Sequence, residues 1–253
     1  MKESYRIKPG AEPFGSEGGS VGILLIHGFS GSPASLRPMA EFLAGEGLSV
    51  SLPRLPGHGT HWEDLAQTTW EQWYAEADAA FQELAARCTD VVVVALSMGA
   101  SLAIHLAALR RNGIRGLVLI NPYLIDPRLA AASVVRLFTR TTKGVINDIK
   151  KAGQDEIGYE RVPVAALPSL RHLLKVAQQD LPEVQMPLLV FRSTDDHVVK
   201  AAGSRLIMDR VGSQEKELVD LSNSYHVATL DHDAELIERR VLEFAKSQAG
   251  SQA

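Results

Sequence analysis

The chain has 253 residues, 45% hydrophobic and 22% charged, which is the balance of a globular domain large enough to bury its own core. A formal net charge of −4 argues against a polyanion partner such as nucleic acid, and a single cysteine, Cys88, excludes an intramolecular disulfide. The segment Met1–Phe14 has no apolar stretch of the kind a secretory signal needs, and no apolar run approaches the ~18 residues of a membrane span. A cytoplasmic protein without a transmembrane segment is expected.

Taken in chain order, the first strong signal is Val21–Ile26 (VGILLI), a continuous apolar strand. A helix pattern follows over Ser35–Gly45, a strand over Leu48–Leu52 and a long helix over Thr69–Ala86. Val91–Leu96 (VVVVAL) is the most apolar strand of all, followed by a helix at Gly99–Arg111 and a strand at Leu117–Ile120. The later pattern gives a strand at Leu188–Phe191, a helix at Lys200–Val211, a last strand at Lys216–Leu221 and a closing helix at Asp233–Lys246. Apolar runs without alternation are what strands covered on both faces require. The alternation of strand and helix therefore predicts an α/β fold with a doubly wound, mostly parallel sheet.

From about Tyr123 to about Pro163 the rhythm breaks: helical patterns without a strand, interrupted by Lys143, Gly144, Gly153 and Gly158. The expectation is one domain over residues 1–253 with a helical cap or lid inserted over 123–163. The apolar segment Leu129–Phe138 gives that cap a greasy face, suited to core packing or to a lipid.

Chemistry concentrates where strands end. Val91–Ala100 (VVVVALSMGA) runs a buried strand into a small-x-Ser-x-Gly turn and then a helix, the pattern of a nucleophile elbow. Ser97 is the candidate nucleophile, with Ala95 and Gly99 keeping its neighbours small. Ala95 stands where the usual pattern has glycine. Leu24–Pro33 (LLIHGFSGSP) ends a strand in a small-residue loop, the place that supplies one backbone N–H to an oxyanion hole, the other coming from the residue after the serine. By position those donors are the amides of Phe29 and Met98.

The serine needs a base. His27 belongs to the oxyanion loop, His105 to the helix after the serine, and His172 to an amphipathic helix. His58 and His61 in GHGTHWED lack further ligands, so no metal is expected. His226, in SNSYHV after the final strand, fits the chain order Ser, acid, His; His232 is the rival at the start of the closing helix. The acid falls in STDDHVV: Asp195 and Asp196 are both candidates, and the spacing to Val198 and Val199 favours Asp196. His197 reads as a loop residue.

GAEPF, HGFSGSP, SLPRLPGHGTHWED, LSMG, DDHVV and NSYHVATLDHD together resemble the small bacterial monoacylglycerol lipases and their carboxylesterase relatives, members of the α/β-hydrolase superfamily. The likeness spans nearly the whole chain and is weakest between Tyr123 and Leu181. The family's elbow is similar to GLSMGG, so Ala95 and Ala100 are departures. The resemblance implies a serine ester hydrolase that needs no cofactor and releases fatty acid and glycerol from a monoacylglycerol, with Ser97, Asp196 and His226 as the triad. It also implies an aliphatic cap residue against the substrate, matched by Val145, and a glutamate that holds the glycerol hydroxyls, matched by Glu156. A greasy cap implies passing contact with lipid aggregates. A short-to-medium-chain carboxylesterase would use the same machinery, a dehalogenase or epoxide hydrolase would want aspartate at position 97, and a ligand-binding protein on the same fold would not need an activated serine.

Overall fold

The computed structural model describes residues 3–131 and 137–250. Nine strands and seven helices are assigned there: β1 (Phe14–Ser16), β2 (Val21–Ile26), α1 (Arg37–Gly45), β3 (Ser49–Leu52), α2 (Trp62–Leu65), α3 (Trp70–Ala85), β4 (Asp90–Leu96), α4 (Met98–Leu109), β5 (Gly116–Ile120), β6 (Thr141–Lys143), β7 (Arg161–Pro163), α5 (Leu167–Asp180), β8 (Leu188–Ser193), α6 (Ala202–Arg210), β9 (Lys216–Leu221) and α7 (Ala234–Gln248). Seven strands form one sheet in the order β1-β3-β2-β4-β5-β8-β9. All its pairings are parallel except that of β1 with β3. This is the α/β-hydrolase fold expected from the sequence.

The apolar runs explain the layers. Along β4, Val91, Val93 and Ala95 face a core shared with α3, α4 and α5, while Val92, Val94 and Leu96 face a core shared with α1 and α7. A strand buried on both sides has no polar face to offer, hence four consecutive valines. Helix α4 is buried almost all round, which a central helix under the sheet requires. Because β3 and β4 lie on opposite sides of β2, the connections diverge there, and the crevice opens at the carboxyl ends of β2 and β4. Those ends carry His27-Gly28 and Ser97.

The segment between β5 and β8 corrects one expectation. Where helical patterns without a strand were expected over 123–163, a 3-10 turn at Pro127–Ala131 is followed by two strands, β6 and β7, paired antiparallel with Thr142 opposite Val162. The β-branched residues Thr141, Thr142 and Val162 favour an extended ribbon over a helix, and Gly153 at φ +78° breaks the connection between them. Of the apolar segment Leu129–Phe138, residues 132–136 lie outside the described residues. The long helix of this region, α5, begins only after β7. The ribbon is tied down at its far end: the Tyr159 hydroxyl donates to Gly57 O (2.8 Å) and accepts from Thr60 N (2.8 Å), and Tyr159 N donates to Ser30 O (3.0 Å).

Candidate active site

Ser97 sits between β4 and α4 with φ 55° and ψ −120°, a conformation that costs free energy in any residue but glycine. The turn is held by Ser97 N donating to Ile120 O (3.0 Å) and by Ser97 O accepting from Ala100 N (3.0 Å) and Tyr123 N (3.1 Å). Gly99 is required: a Cβ there would lie 2.3 Å from Ile26 O and 2.7 Å from His27 O, main-chain atoms that cannot swing away. Gly28 is pressed less closely: a Cβ on it would sit 3.1 Å from Ser97 Cβ, a tight contact that a small shift could relieve. Ala95, by contrast, is a fully buried sheet residue opposite Ile26, and its methyl group packs into the core.

Three side chains named from the sequence meet here. His226 Nε2 lies 2.9 Å from Ser97 Oγ, and His226 Nδ1 lies 2.8 Å from Asp196 Oδ2. The other oxygen of Asp196 accepts from Val198 N and Val199 N, each at 2.8 Å. A carboxylate with no proton of its own obliges Nδ1 to carry the hydrogen, so Nε2 offers its lone pair to the serine hydroxyl. Asp195 points elsewhere, with its side chain 63% exposed and 3.6 Å from His197 Nε2. His232 is exposed. His105 pairs with Asp180, His172 accepts from the Trp70 indole, and His61 caps α2. No group of three or more His, Cys, Asp or Glu stands ready to hold a metal among the described residues.

The loop after β2 has its own support. His27 Nδ1 lies 3.0 Å from Gly28 O, and Leu55 N donates to His27 Nε2 (3.1 Å), which leaves the proton on Nδ1. Because a trans peptide is planar, engaging the Gly28 carbonyl fixes the direction of the Phe29 N–H as well. Met98 N is the first amide of α4, where helix N–H groups lack intrahelical partners. Burial pushes His27 down to about 4, and burial with the neighbouring His27 pushes His58 well below the ordinary imidazole value. His58 Nε2 is buried without a hydrogen-bond partner.

The depressed value makes His27 a stability group with a defined pH window. The folded chain binds its proton more weakly than the unfolded chain does, so the contribution is complete above about 6.5 and is lost as pH falls toward 4. For His27 that loss is on the order of 3 kcal/mol. The unfolding midpoint should fall steadily from pH 6.5 to 4, and His27→Gln should remove part of that fall. Identical pH curves for the two proteins would show that His27 does not titrate with unfolding.

Above Ser97 and His226 lies a cavity of about 380 Å³, in the size range of small-molecule sites. Phe29, Leu129, Val162, Leu167 and Leu170 give it apolar walls, and Val145, 58% exposed, stands on its rim. Glu156 brings a carboxyl group into it, with Oε1 so close to Gly31 that a Cβ there would lie 2.6 Å away. Burial raises the Glu156 carboxyl above its ordinary value, against the pull of His226 and of the hydrogen bond at Asn147.

Several contributors escaped the sequence reading. Asn121, at φ +43° after β5, donates from Nδ2 to His226 O (2.7 Å) and Ser193 Oγ (2.9 Å) and accepts from Ser193 N (2.7 Å). An asparagine before proline at a strand end is the one hint the sequence offers, since asparagine tolerates positive φ. The wall pair Asp126 and Arg128, with the Tyr123 hydroxyl on Asp126, also carried no motif.

A strained serine between strand and helix, hydrogen-bonded to a late-loop histidine, defines an α/β-hydrolase. The family model described as serine aminopeptidase, S33, matches residues 21–233, and the chain belongs to that family. It is 42% identical over 251 residues to the thermostable monoacylglycerol lipase of Bacillus sp. (strain H-257), covering 99% of this chain and 100% of that one. It is 25% identical to a carboxylesterase of Bacillus subtilis (strain 168), covering 92% of this chain and 95% of that one. A solved structure of the metagenome-derived lipolytic enzymes LipS and LipT superposes with a TM-score of 0.92 at 40% identity, covering 96% of this chain and 100% of that chain. The monoacylglycerol lipase of Paleococcus ferrophilus shares the fold, with a TM-score of 0.77 at 20% identity over 94% of this chain and 100% of that chain. The family read from the sequence motifs is thus borne out.

Proposed function

We propose that this chain is a monoacylglycerol lipase, a serine ester hydrolase that releases fatty acid and glycerol through an acyl-enzyme. The observation that carries the reading is the hydrogen-bonded run Asp196–His226–Ser97 opening into an apolar cavity that also holds the carboxyl group of Glu156. In this reading His226 takes the Ser97 proton as Oγ attacks the ester carbonyl, and the amides of Phe29 and Met98 receive the oxyanion. His226 then protonates the departing glycerol oxygen. Water, deprotonated by the same imidazole, attacks the acyl-enzyme, and the proton returns to Ser97 as the fatty acid leaves. The chain's own side chains and main-chain amides, with water, suffice for every step of this reading.

The apolar walls take the acyl chain, Val145 flanks it, and Glu156 accepts hydrogen bonds from the glycerol hydroxyls. The 123–163 insertion acts as the cap of a single domain. Leu137 and Phe138, 73% and 83% exposed, join Val145 in giving the cap an apolar surface for passing contact with lipid aggregates. No helix among the described residues is long and apolar enough to cross a membrane. A cytoplasmic enzyme meeting dispersed or micellar substrate is part of the proposal.

Glu156→Ala tests the assignment against a general carboxylesterase. Loss of a charged hydrogen bond to substrate should lower kcat/KM on a monoacylglycerol about tenfold or more, while an alkyl ester of the same acyl length stays within about threefold. Equal losses on both substrates would remove the glycerol from the role of Glu156 and favour the broader esterase.

A further inference from the structure

His226 lies in a loop between β9 and the last 3-10 turn, so no ladder of a sheet or helix fixes its main chain. Two groups do. From the core, Asn121 Nδ2 holds His226 O (2.7 Å). From the insertion between β6 and β7, Asp148 Oδ2 accepts His226 N (3.1 Å). The same oxygen accepts His197 N (3.2 Å), Asp148 Oδ1 lies 2.7 Å from His197 Nδ1, and Asp148 O accepts Val227 N (3.1 Å). One carboxylate, its side chain 10% exposed, thus bridges the residue after Asp196 and the base itself.

Its own backbone is anchored on both sides. Asn147 Oδ1 accepts Glu156 N (2.6 Å). Lys150 N and Lys151 N donate to Asp231 (2.7 and 2.9 Å), whose carboxylate also accepts Tyr225 N (2.9 Å). The strap 147–151 is therefore fastened at Tyr225, His226 and Val227.

We propose that Asp148 is a positioning residue for His226, a carboxylate of the cap that keeps the base loop in register with the acid loop and so keeps Nε2 on Ser97 Oγ. It makes no contact with substrate. At this end the cap is a fixed part of the catalytic apparatus. The proposal rests on the roles of Ser97, Asp196 and His226 given above.

The test compares Asp148→Ala and Asp148→Asn with the unaltered chain. Readouts are kcat, KM, the rate at which a fluorophosphonate labels Ser97, and the unfolding midpoint. A slack base loop should lower kcat and the labelling rate of Asp148→Ala by about ten- to a hundredfold, with KM within about threefold. Asparagine keeps one oxygen for both backbone N–H groups, so Asp148→Asn should return to within about threefold of the unaltered chain. If Asp148→Ala does not fold, Asp148→Ser, too short to span both loops, takes its place. A kcat within about twofold, a loss confined to KM, or an asparagine variant as poor as alanine would each overturn the proposal. Labelling needs no particular ester, so a wrong substrate leaves this readout intact. Turnover or labelling that survives Ser97→Ala would instead overturn the catalytic roles.

Discussion

Ser97→Ala is expected to lower kcat on a monoacylglycerol by a factor on the order of 10⁵ to 10⁶ while leaving the fold in place. The two halves of that expectation have separate causes. Without Oγ no acyl-enzyme forms in the proposed mechanism, and what remains is the contribution of the amides proposed to receive the oxyanion and of substrate binding, typically about 10³ to 10⁴ over water. The fold should hardly notice. Alanine occupies φ 55° at much the same cost as serine, and the turn is carried by main-chain bonds to Ile120, Ala100 and Tyr123 that the substitution leaves alone. The lost hydrogen bond, to His226 Nε2, faces a cavity where water can replace the hydroxyl. The unfolding midpoint should shift by no more than about 2 °C, the scale of a change below 1 kcal/mol in a chain of this size. Steady-state turnover and a thermal melt on the same sample check both. Activity within about a hundredfold of the unaltered chain would mean that another group attacks the ester.

How much of this could be read from the sequence follows from what each residue is bonded to. Strands β2, β4 and β5 announced themselves because burial on both faces leaves only apolar residues to choose from. Strand β1, three residues at the sheet edge, has no such constraint, and α2 is a single turn; neither left a pattern. The cap ribbon was misread because Thr141–Lys143 and Arg161–Pro163 are short and lie 17 residues apart, so no local periodicity could reveal their pairing. In the site, Ser97 and Gly99 are legible because the elbow constrains neighbours in sequence. Asn121 and Asp148 are not. Their partners are main-chain groups of His226, 105 and 78 positions away, and a backbone N–H or C=O carries no residue identity for a motif to record. His27 lies between these cases: its position beside Gly28 was visible, whereas its part in orienting the Phe29 amide needed the bond from Leu55.

The neighbouring aspartates give the sharpest contrast. Asp196→Asn should lower kcat by a factor on the order of 10⁴, and Asp195→Asn should leave it within about twofold. Asp196 uses one oxygen for Val198 N and Val199 N and the other for His226 Nδ1. An asparagine must keep its carbonyl oxygen on the two backbone N–H groups, because an amide NH₂ there would face two donors. Its NH₂ then points at His226 Nδ1, which can accept only by giving up its hydrogen. The proton moves to Nε2, where the imidazole can no longer take one from Ser97. The loss is one of tautomer, and the shape of the site is preserved, so Asp196→Asn should unfold close to the unaltered chain. Asp195 has no such hold: its exposed carboxylate reaches no closer than 3.6 Å to His197 Nε2, and a surface pair of that kind contributes little. Turnover of the two variants, measured side by side with their melts, ranks them directly. The reverse order would move the acid to Asp195 and would require the loop 193–199 to turn over before catalysis.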